Sequence, residues 1–379
     1  MFLTVILSAL TALSLVLVLW QWWVARRFPL HQRLPSTPFA PAVTLLKPVK
    51  GCDPESAECF RSWFRQSYSG PVQILFGVAS ETDPVCPVIL DVLKEFPKAD
   101  AQLLICPELL GASSKVSKLV QLQRAAKHEV VVISDADVRV SEDFIAQAVQ
   151  PLADDKVGLV NCFYRLANPV HVAMRWEAVA INSDFWSQVL QSRSLKPIDF
   201  AMGAVMLTRR KQLAEIGAFT SLVDYLADDY ELGNRIAGLG YRIEISNVVV
   251  DCWERPMDWH AVWSRQLRWA RTIRVCQPVP YFFSILSNGT LWPLLLLILK
   301  PSLLSFAVVT LCIGIRIATS LHQQKLSTGT KDHLWYDWMV PVKDLLQVGL
   351  WACSFGGKEV VWRGHRYHVE AHGHLREIQ

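Results

Sequence analysis

Residues 2–23 contain no charged side chain, and this run constrains the fold more than anything else in the chain. At 1.5 Å of rise per residue, a helix of that length spans about 33 Å, the thickness of a bilayer's hydrocarbon core. Trp20, Trp22 and Trp23 crowd its end just before Arg26 and Arg27, as in an interfacial aromatic belt followed by a cytoplasmic basic flank. A cleaved signal peptide would carry its positive charge first, a shorter apolar core and small residues at the cut. Here the charge follows the run and tryptophans stand where small residues would be. The segment therefore reads as an uncleaved anchor with the following domain in the cytoplasm.

Over all 379 residues the hydrophobic share is 51% and the charged share 19%, more apolar than an ordinary soluble domain. Further membrane-associated segments account for the excess. Residues 281–320, interrupted by Asn288-Gly289, Lys300-Pro301 and Arg316, read as one tilted span or as a tight helical hairpin. Residues 334–355 hold Asp337, Lys343 and Asp344, which suits an interfacial or bundle-facing helix better than a lipid-facing one. A basic tail with Lys358, Arg363 and Arg366 follows and is expected in the cytoplasm. The net charge of +4 is too small, and the basic residues too scattered, for a nucleic-acid binder. The nine cysteines are odd in number, widely spaced and without a C-x-x-C pair. They suggest neither a disulfide framework nor a zinc knuckle and fit reduced thiols.

Between the anchor and the second apolar region, short runs rich in Val, Ile and Leu at residues 43–46, 72–78, 102–106 and 130–133 alternate with helical stretches such as 115–127. That alternation predicts an α/β domain with a mostly parallel sheet, whose ligands bind beyond the carboxyl ends of the strands. The expected organisation is an anchor over residues 1–25, a catalytic domain over 28–274, interfacial and transmembrane helices over 275–355, and the tail over 356–379. There is no internal repeat and no glycine-rich phosphate loop.

Four clusters carry chemistry. In Ile133-Ser134-Asp135-Ala136-Asp137 an apolar strand ends in two carboxylates one residue apart. Hard divalent ions take oxygen ligands and keep phosphates and waters in their other positions, so this end suits a metal-diphosphate site, or else an ordinary turn. Asp83, before Pro84, ends a second predicted strand; it can accept hydrogen bonds from a base or ribose, or simply cap the helix that follows. Lys47 and Lys50 lie at another strand end, where a diphosphate would use them and where lysines are otherwise solvated. Asp228 and Asp229 open a helix that stops at Gly238 and Gly240; either can take the proton of an attacking hydroxyl, or serve as acidic residues favouring a helix N-terminus. Arg265, Arg268 and Trp269 are spaced i, i+3 and i+4, which puts two guanidiniums and an indole on one helical face. Guanidinium forks hold phosphate oxygens and the indole can wall a pocket, though a basic helix lying on the membrane fits the same pattern.

Taken in order, Asp83, Asp135, Asp229 and Arg265-x-x-Arg268-Trp269 resemble the D, D, D, (Q/R)-x-x-R-W pattern of ceramide glucosyltransferase and its relatives in glycosyltransferase family 21, over roughly residues 40–275. The resemblance extends to the segment around Lys115 and to Leu226-Ala227-Asp228-Asp229-Tyr230. It implies a GT-A nucleotide-sugar-binding fold with membrane helices at both ends, a UDP-sugar donor, Mg or Mn, and an inverting single displacement. Asp83, Lys47 and Lys115 would then serve the nucleotide and its diphosphate, Asp135 the metal-diphosphate region, and Asp229 the base. Arg268 and Trp269 would line the diphosphate and acceptor side, with Arg265 of the same motif counted with them and Asp229 among the catalytic residues. Some relatives lack the second carboxylate of the Asp135-x-Asp137 pair, so Asp137 as a ligand rests on coordination chemistry. The acceptor class implied is a membrane lipid hydroxyl, ceramide-like, diacylglycerol or a hopanoid. The tail residues 362–367 also look like family sequence and are assigned no catalytic role. A processive polysaccharide synthase shares the same four-part pattern but needs a larger membrane portion for its polymer. An inactive lipid-binding scaffold would need acidic and basic positions to be missing, and here all are filled.

Overall fold

In a computed structural model, the described residues are 1–35, 38–330, 336–357, 359–362, 365–369 and 373–377. Lys358, Arg363 and Gly364 of the expected basic tail, and the start of the apolar stretch at Leu334, lie outside them. The chain forms two compact units, one of Met1–Pro29, Pro169–Lys196 and Pro256–His372, the other of Leu30–Asn168, Pro197–Arg255 and Gly373–Gln379. The units are interleaved in sequence: residues 169–196 and 256–274, read from the sequence as part of the catalytic domain, cluster with the apolar helices.

The second unit is built on strands β1 (Val43–Pro48), β2 (Val72–Val78), β3 (Asp100–Ile105), β4 (Val130–Ser134), β5 (Val138–Arg139), β6 (Val157–Leu166), β7 (Val205–Arg209) and β8 (Arg242–Cys252). They form one sheet in the order β3-β2-β1-β4-β7-β6-β8-β5. β1 and β4 are buried at every position, as expected of central strands covered on both faces. Helices Ser56–Phe64, Val85–Glu95 and Ser114–Ala125 make the crossovers between the first four strands, all of which run parallel. β7 is antiparallel to both β4 and β6, so the sheet is mixed, with its parallel half being the part legible as alternating runs. From β1 the chain steps outward to β2 and β3 and then returns to β4 on the other side of β1. That reversal opens a crevice at the carboxyl ends of β1 and β4, where ligands of such sheets bind.

The first unit turns the usual polarity inside out. The helix Phe2–Ala25 buries Thr11, Ser14 and Gln21 while Phe2, Val5 and Val16 are exposed. The helix Leu303–Thr328 buries Arg316, Thr319, Gln323 and Gln324 while Leu303, Leu304, Phe306 and Leu311 are exposed. Apolar outside and polar inside is what lipid selects, because buried polar groups find partners only within the bundle. Gln21, for example, donates to Ser187 Oγ at 2.6 Å. Both helices are long and apolar enough to cross a membrane. The expected second apolar region resolves into that helix, preceded by Pro278–Ser287 and Leu291–Leu299, a pair bent by 54°. The helix Val340–Phe355 buries Lys343 and Asp344, as a bundle-facing helix does. Asp344 and Asp184 together enclose Arg316, whose guanidinium lies 3.1 Å and 2.7 Å from them. Lys343 pairs with both, at 2.6 Å from Asp344. The strands Glu359–Trp362 and His365–Val369 form an antiparallel hairpin.

Candidate active site

The crevice at the ends of β1 and β4 holds the acidic pair. Asp135 follows Ser134, its N–H bonded to the Ala204 carbonyl at 3.1 Å, and the Asp137 carbonyl accepts from Trp253 N–H at 2.9 Å. β5 then pairs with the end of β8, which brings the carboxylate of Glu254 close to Asp137. Burial, then the charge of Glu254 and then that of Asp135, push the Asp137 carboxyl up to about 7. A carboxyl held this far above its ordinary range is one that a divalent cation would relieve. Among the described residues no three His, Cys, Asp or Glu side chains are disposed to hold a metal. Asp135 and Asp137 are oxygen donors of the kind a hard divalent ion takes, and an ion held by these two alone would need its remaining ligands from phosphate and water.

Lys115 reaches this pair from the first turn of the helix Ser114–Ala125. Its ammonium is 2.7 Å from Asp135 Oδ1 and 3.5 Å from Asp228 Oδ2. Burial alone would lower its pKa, but the carboxylates of Asp135, Asp228 and Asp229 outweigh burial and raise it, so the group is a fixed cation. Its position depends on the loop ahead of the helix. Ala112 N–H donates to Asp224 at 2.9 Å, Ser113 N–H donates to the Val223 carbonyl at 2.7 Å, and Ser113 caps the helix through Val116 N–H. The loop that leads to Asp228 and the loop that leads to Lys115 are thus tied together.

Asp229 lies in the first turn of the helix Asp228–Gly238, accepting from Tyr230 N–H at 2.9 Å. Burial first, and the neighbouring Asp228 second, raise its carboxyl to about 6 against the opposing pull of Lys115. Gly203 makes room for it, since a Cβ there would lie 2.8 Å from Asp229 Oδ2. Gly233 lets the same helix sit against Ala201, whose backbone N would be 2.3 Å from a Cβ.

Two expected ligand groups have local work. Lys47 is fully buried and donates to Ser134 Oγ at 3.1 Å and to the Asp135 carbonyl at 2.6 Å. It ties the end of β1 to the acidic turn, and burial brings its pKa down to about 8. Asp83 accepts from Gly51 N–H at 3.1 and 3.2 Å and from Val85 N–H at 3.1 Å. It therefore joins the loop after β1 to the start of the next helix, whose N-cap is Pro84. Neither Glu254 nor the pairing of Lys115 with Asp228 is legible in the sequence. Glu254 stands two residues after a long strand with no motif around it, so only its nearness to Asp137 marks it.

Arg265, Arg268 and Trp269 belong to the other unit, on the helix Trp259–Cys276. All three are half-buried. Arg265 pairs with Glu177, its Nε 3.0 Å from Oε1, and its guanidinium lies over the Trp269 ring at 5.3 Å.

Comparison with known proteins adds three findings. The profile of glycosyl transferase family 21 matches residues 6–375. Ceramide glucosyltransferase 3 of Caenorhabditis elegans is 24% identical over 58% of this chain and 48% of its own length. The Komagataella phaffii ceramide glucosyltransferase is 32% identical over 34% of this chain and 26% of its own length. The chain thus spans about half the length, or less, of these curated relatives. Among solved structures, a mannosyltransferase from Pyrobaculum calidifontis, in complex with GDP-Man and Mn2+, superposes with a TM-score of 0.56 at 22% identity, covering 91% of this chain and 99% of that one. At that identity the likeness speaks for the fold, which is GT-A.

Proposed function

Because the chain belongs to glycosyl transferase family 21, we propose that it moves a hexose, glucose in the first instance, from a UDP-sugar to a membrane lipid hydroxyl, inverting the anomeric carbon. The single observation that carries this reading is the meeting of Asp135, Lys115, Asp228 and Asp229 at one crevice of the sheet. A donor-binding acidic turn, a fixed cation and a carboxylate of moderate basicity are the parts that a direct displacement needs.

In this reading Asp229 accepts the proton of the acceptor hydroxyl as its oxygen bonds to the anomeric carbon. The bond from that carbon to the diphosphate breaks, and its electron pair leaves with the diphosphate. With its carboxyl at about 6, Asp229 is ionised near neutral pH yet basic enough to take the proton. Asp135 and Asp137 would hold Mg or Mn, which when bound supplies positive charge to the departing diphosphate. Lys115 adds a second cation for the diphosphate, Lys47 holds the turn that carries Asp135, and Asp83 meets the nucleotide. Arg268 is assigned to the diphosphate and Trp269 to the acceptor side, with the Arg265 guanidinium over the Trp269 ring. The positive-inside tendency of Arg26 and Arg27 after the first helix supports a catalytic unit on the cytoplasmic side of the membrane.

The test is to incubate the purified full chain with UDP-glucose, UDP-galactose and UDP-N-acetylglucosamine against ceramide, diacylglycerol and a hopanoid polyol, with and without EDTA, and to read products by mass spectrometry. A single-sugar lipid that disappears with EDTA is expected. A growing polymer would identify a processive synthase instead, and donor binding without turnover on every lipid would identify a scaffold.

A further inference from the structure

Glu177 is a carboxylate with a side-chain exposure of 0%, in the helix Val172–Val179, and none of the roles assigned above uses it. A buried carboxylate demands partners, and among the described residues its side-chain partners come from one helix. Arg265 pairs with it through Nε at 3.0 Å and through a second guanidinium nitrogen, and Gln266 donates to it at 2.7 Å. The adjacent Trp176 is buried against Trp259 and Trp263 of that same helix, with ring centroids 5.8 Å and 6.5 Å apart. Thus one turn of the helix Val172–Val179 grips the helix Trp259–Cys276 by an ion pair and two aromatic contacts. The same guanidinium that Glu177 holds lies over the Trp269 ring.

We propose that Glu177 is a positioning residue for Trp269. Its carboxylate fixes Arg265 by a two-point pair, and Arg265 fixes the indole by lying across its face. The relay works because the guanidinium is planar: the edge that meets the carboxylate leaves a face for the ring. Arg265 therefore acts between helices, setting the angle at which Trp269 is offered to an acceptor. This rests on the reading of Trp269 as an acceptor-side group, while the contacts of Glu177 and Arg265 stand apart from it.

The test uses the full chain in detergent micelles, labelled with 5-fluorotryptophan, the Trp269 resonance being identified by its loss in Trp269→Phe. Glu177→Gln is expected to shift or broaden that resonance and to leave the Trp63 resonance, in the other unit, unchanged. With UDP-glucose and a short-chain ceramide, it is expected to raise the acceptor KM on the order of tenfold, the scale of a desolvated cation–π contact, and to hold the donor KM within about twofold. Glu177→Gln combined with Arg265→Gln replaces the charged pair by a neutral one. It is expected to recover thermal stability lost in the single variant while keeping the raised acceptor KM, a separation that a purely structural role would not give. An unmoved Trp269 resonance in Glu177→Gln overturns the proposal, as does a double variant whose acceptor KM returns to normal. If instead Trp269→Ala leaves the acceptor KM unchanged while the resonance still moves with Glu177, it is the acceptor-side reading that fails.

Discussion

Gly203→Ala tests the base assignment without touching a charged group. The backbone at Gly203 is not in the left-handed region, so alanine is conformationally allowed there, and its only new contact of consequence is with Asp229. The added Cβ would stand 2.8 Å from Asp229 Oδ2, and ordinary contact begins near 3.4 Å, so the carboxylate must retreat by about 0.6 Å. A misplacement of ~1 Å costs about a hundredfold in rate, which scales to a loss on the order of tenfold in kcat, or about 1.4 kcal/mol of barrier. Stability should change little, because the contact is with a side-chain end and alanine lowers the entropy of the unfolded chain by about 0.4–1 kcal/mol. Gly233→Ala makes the contrast, since its Cβ would meet the backbone of Ala201 and should lower the melting temperature. The assay is initial-rate kinetics at saturating donor beside thermal unfolding, with Asp229→Asn as reference, expected to bind donor and lose transfer. Wild-type turnover in Gly203→Ala beside an inactive Asp229→Asn would refute the geometry. Near-normal turnover in Asp229→Asn would refute the base itself.

Because Asp229 must be ionised to accept a proton, kcat/KM is expected to fall as pH drops through about 6. Asp228→Asn, which removes a charge that raises that value, should carry the acid limb to lower pH, and Lys115→Met should carry it higher; a limb unmoved by both would remove these groups from the base's surroundings. Asp137, at about 7, must lose its proton to a cation, so Mn2+ affinity measured by calorimetry should weaken below pH 7 by up to about tenfold per pH unit. Asp135→Asn should weaken it throughout, and an unchanged titration would count against the acidic pair as ligands. In the bundle, Asp344→Asn leaves Arg316 and Lys343 with one carboxylate between them, and should cost about 3–5 kcal/mol in unfolding measured in detergent. A loss under about 1 kcal/mol would mean that the network is solvated rather than buried.

Several features were legible in the chain itself because they are local. The first helix follows from an uncharged run of the right length, and β1, β2 and β4 from apolar runs that only a doubly covered sheet accommodates. The helix with Arg265, Arg268 and Trp269 on one face follows from spacing alone. The acidic turn after β4 was visible because a strand that ends in two carboxylates is a local event. β7 was not legible, since a strand inserted antiparallel between β4 and β6 leaves no alternating strand-helix signature.

What the sequence alone determined, then, is which segments are apolar, where strands end and which charged residues stand at those ends. Only the tertiary structure decided which charges meet. Lys115 finds Asp135 and Asp228 because residues 112–113 dock on 223–224, an encounter between loops over a hundred residues apart. Lys47, a candidate phosphate ligand by its place in the chain, is buried because the β1–β4 pairing sets it against Ser134. Glu177 carries no motif and gains its meaning from Arg265. A local pattern depends on neighbours three or four residues away, whereas a pairing of charges depends on how strands are ordered and helices dock, and that is a property of the whole chain.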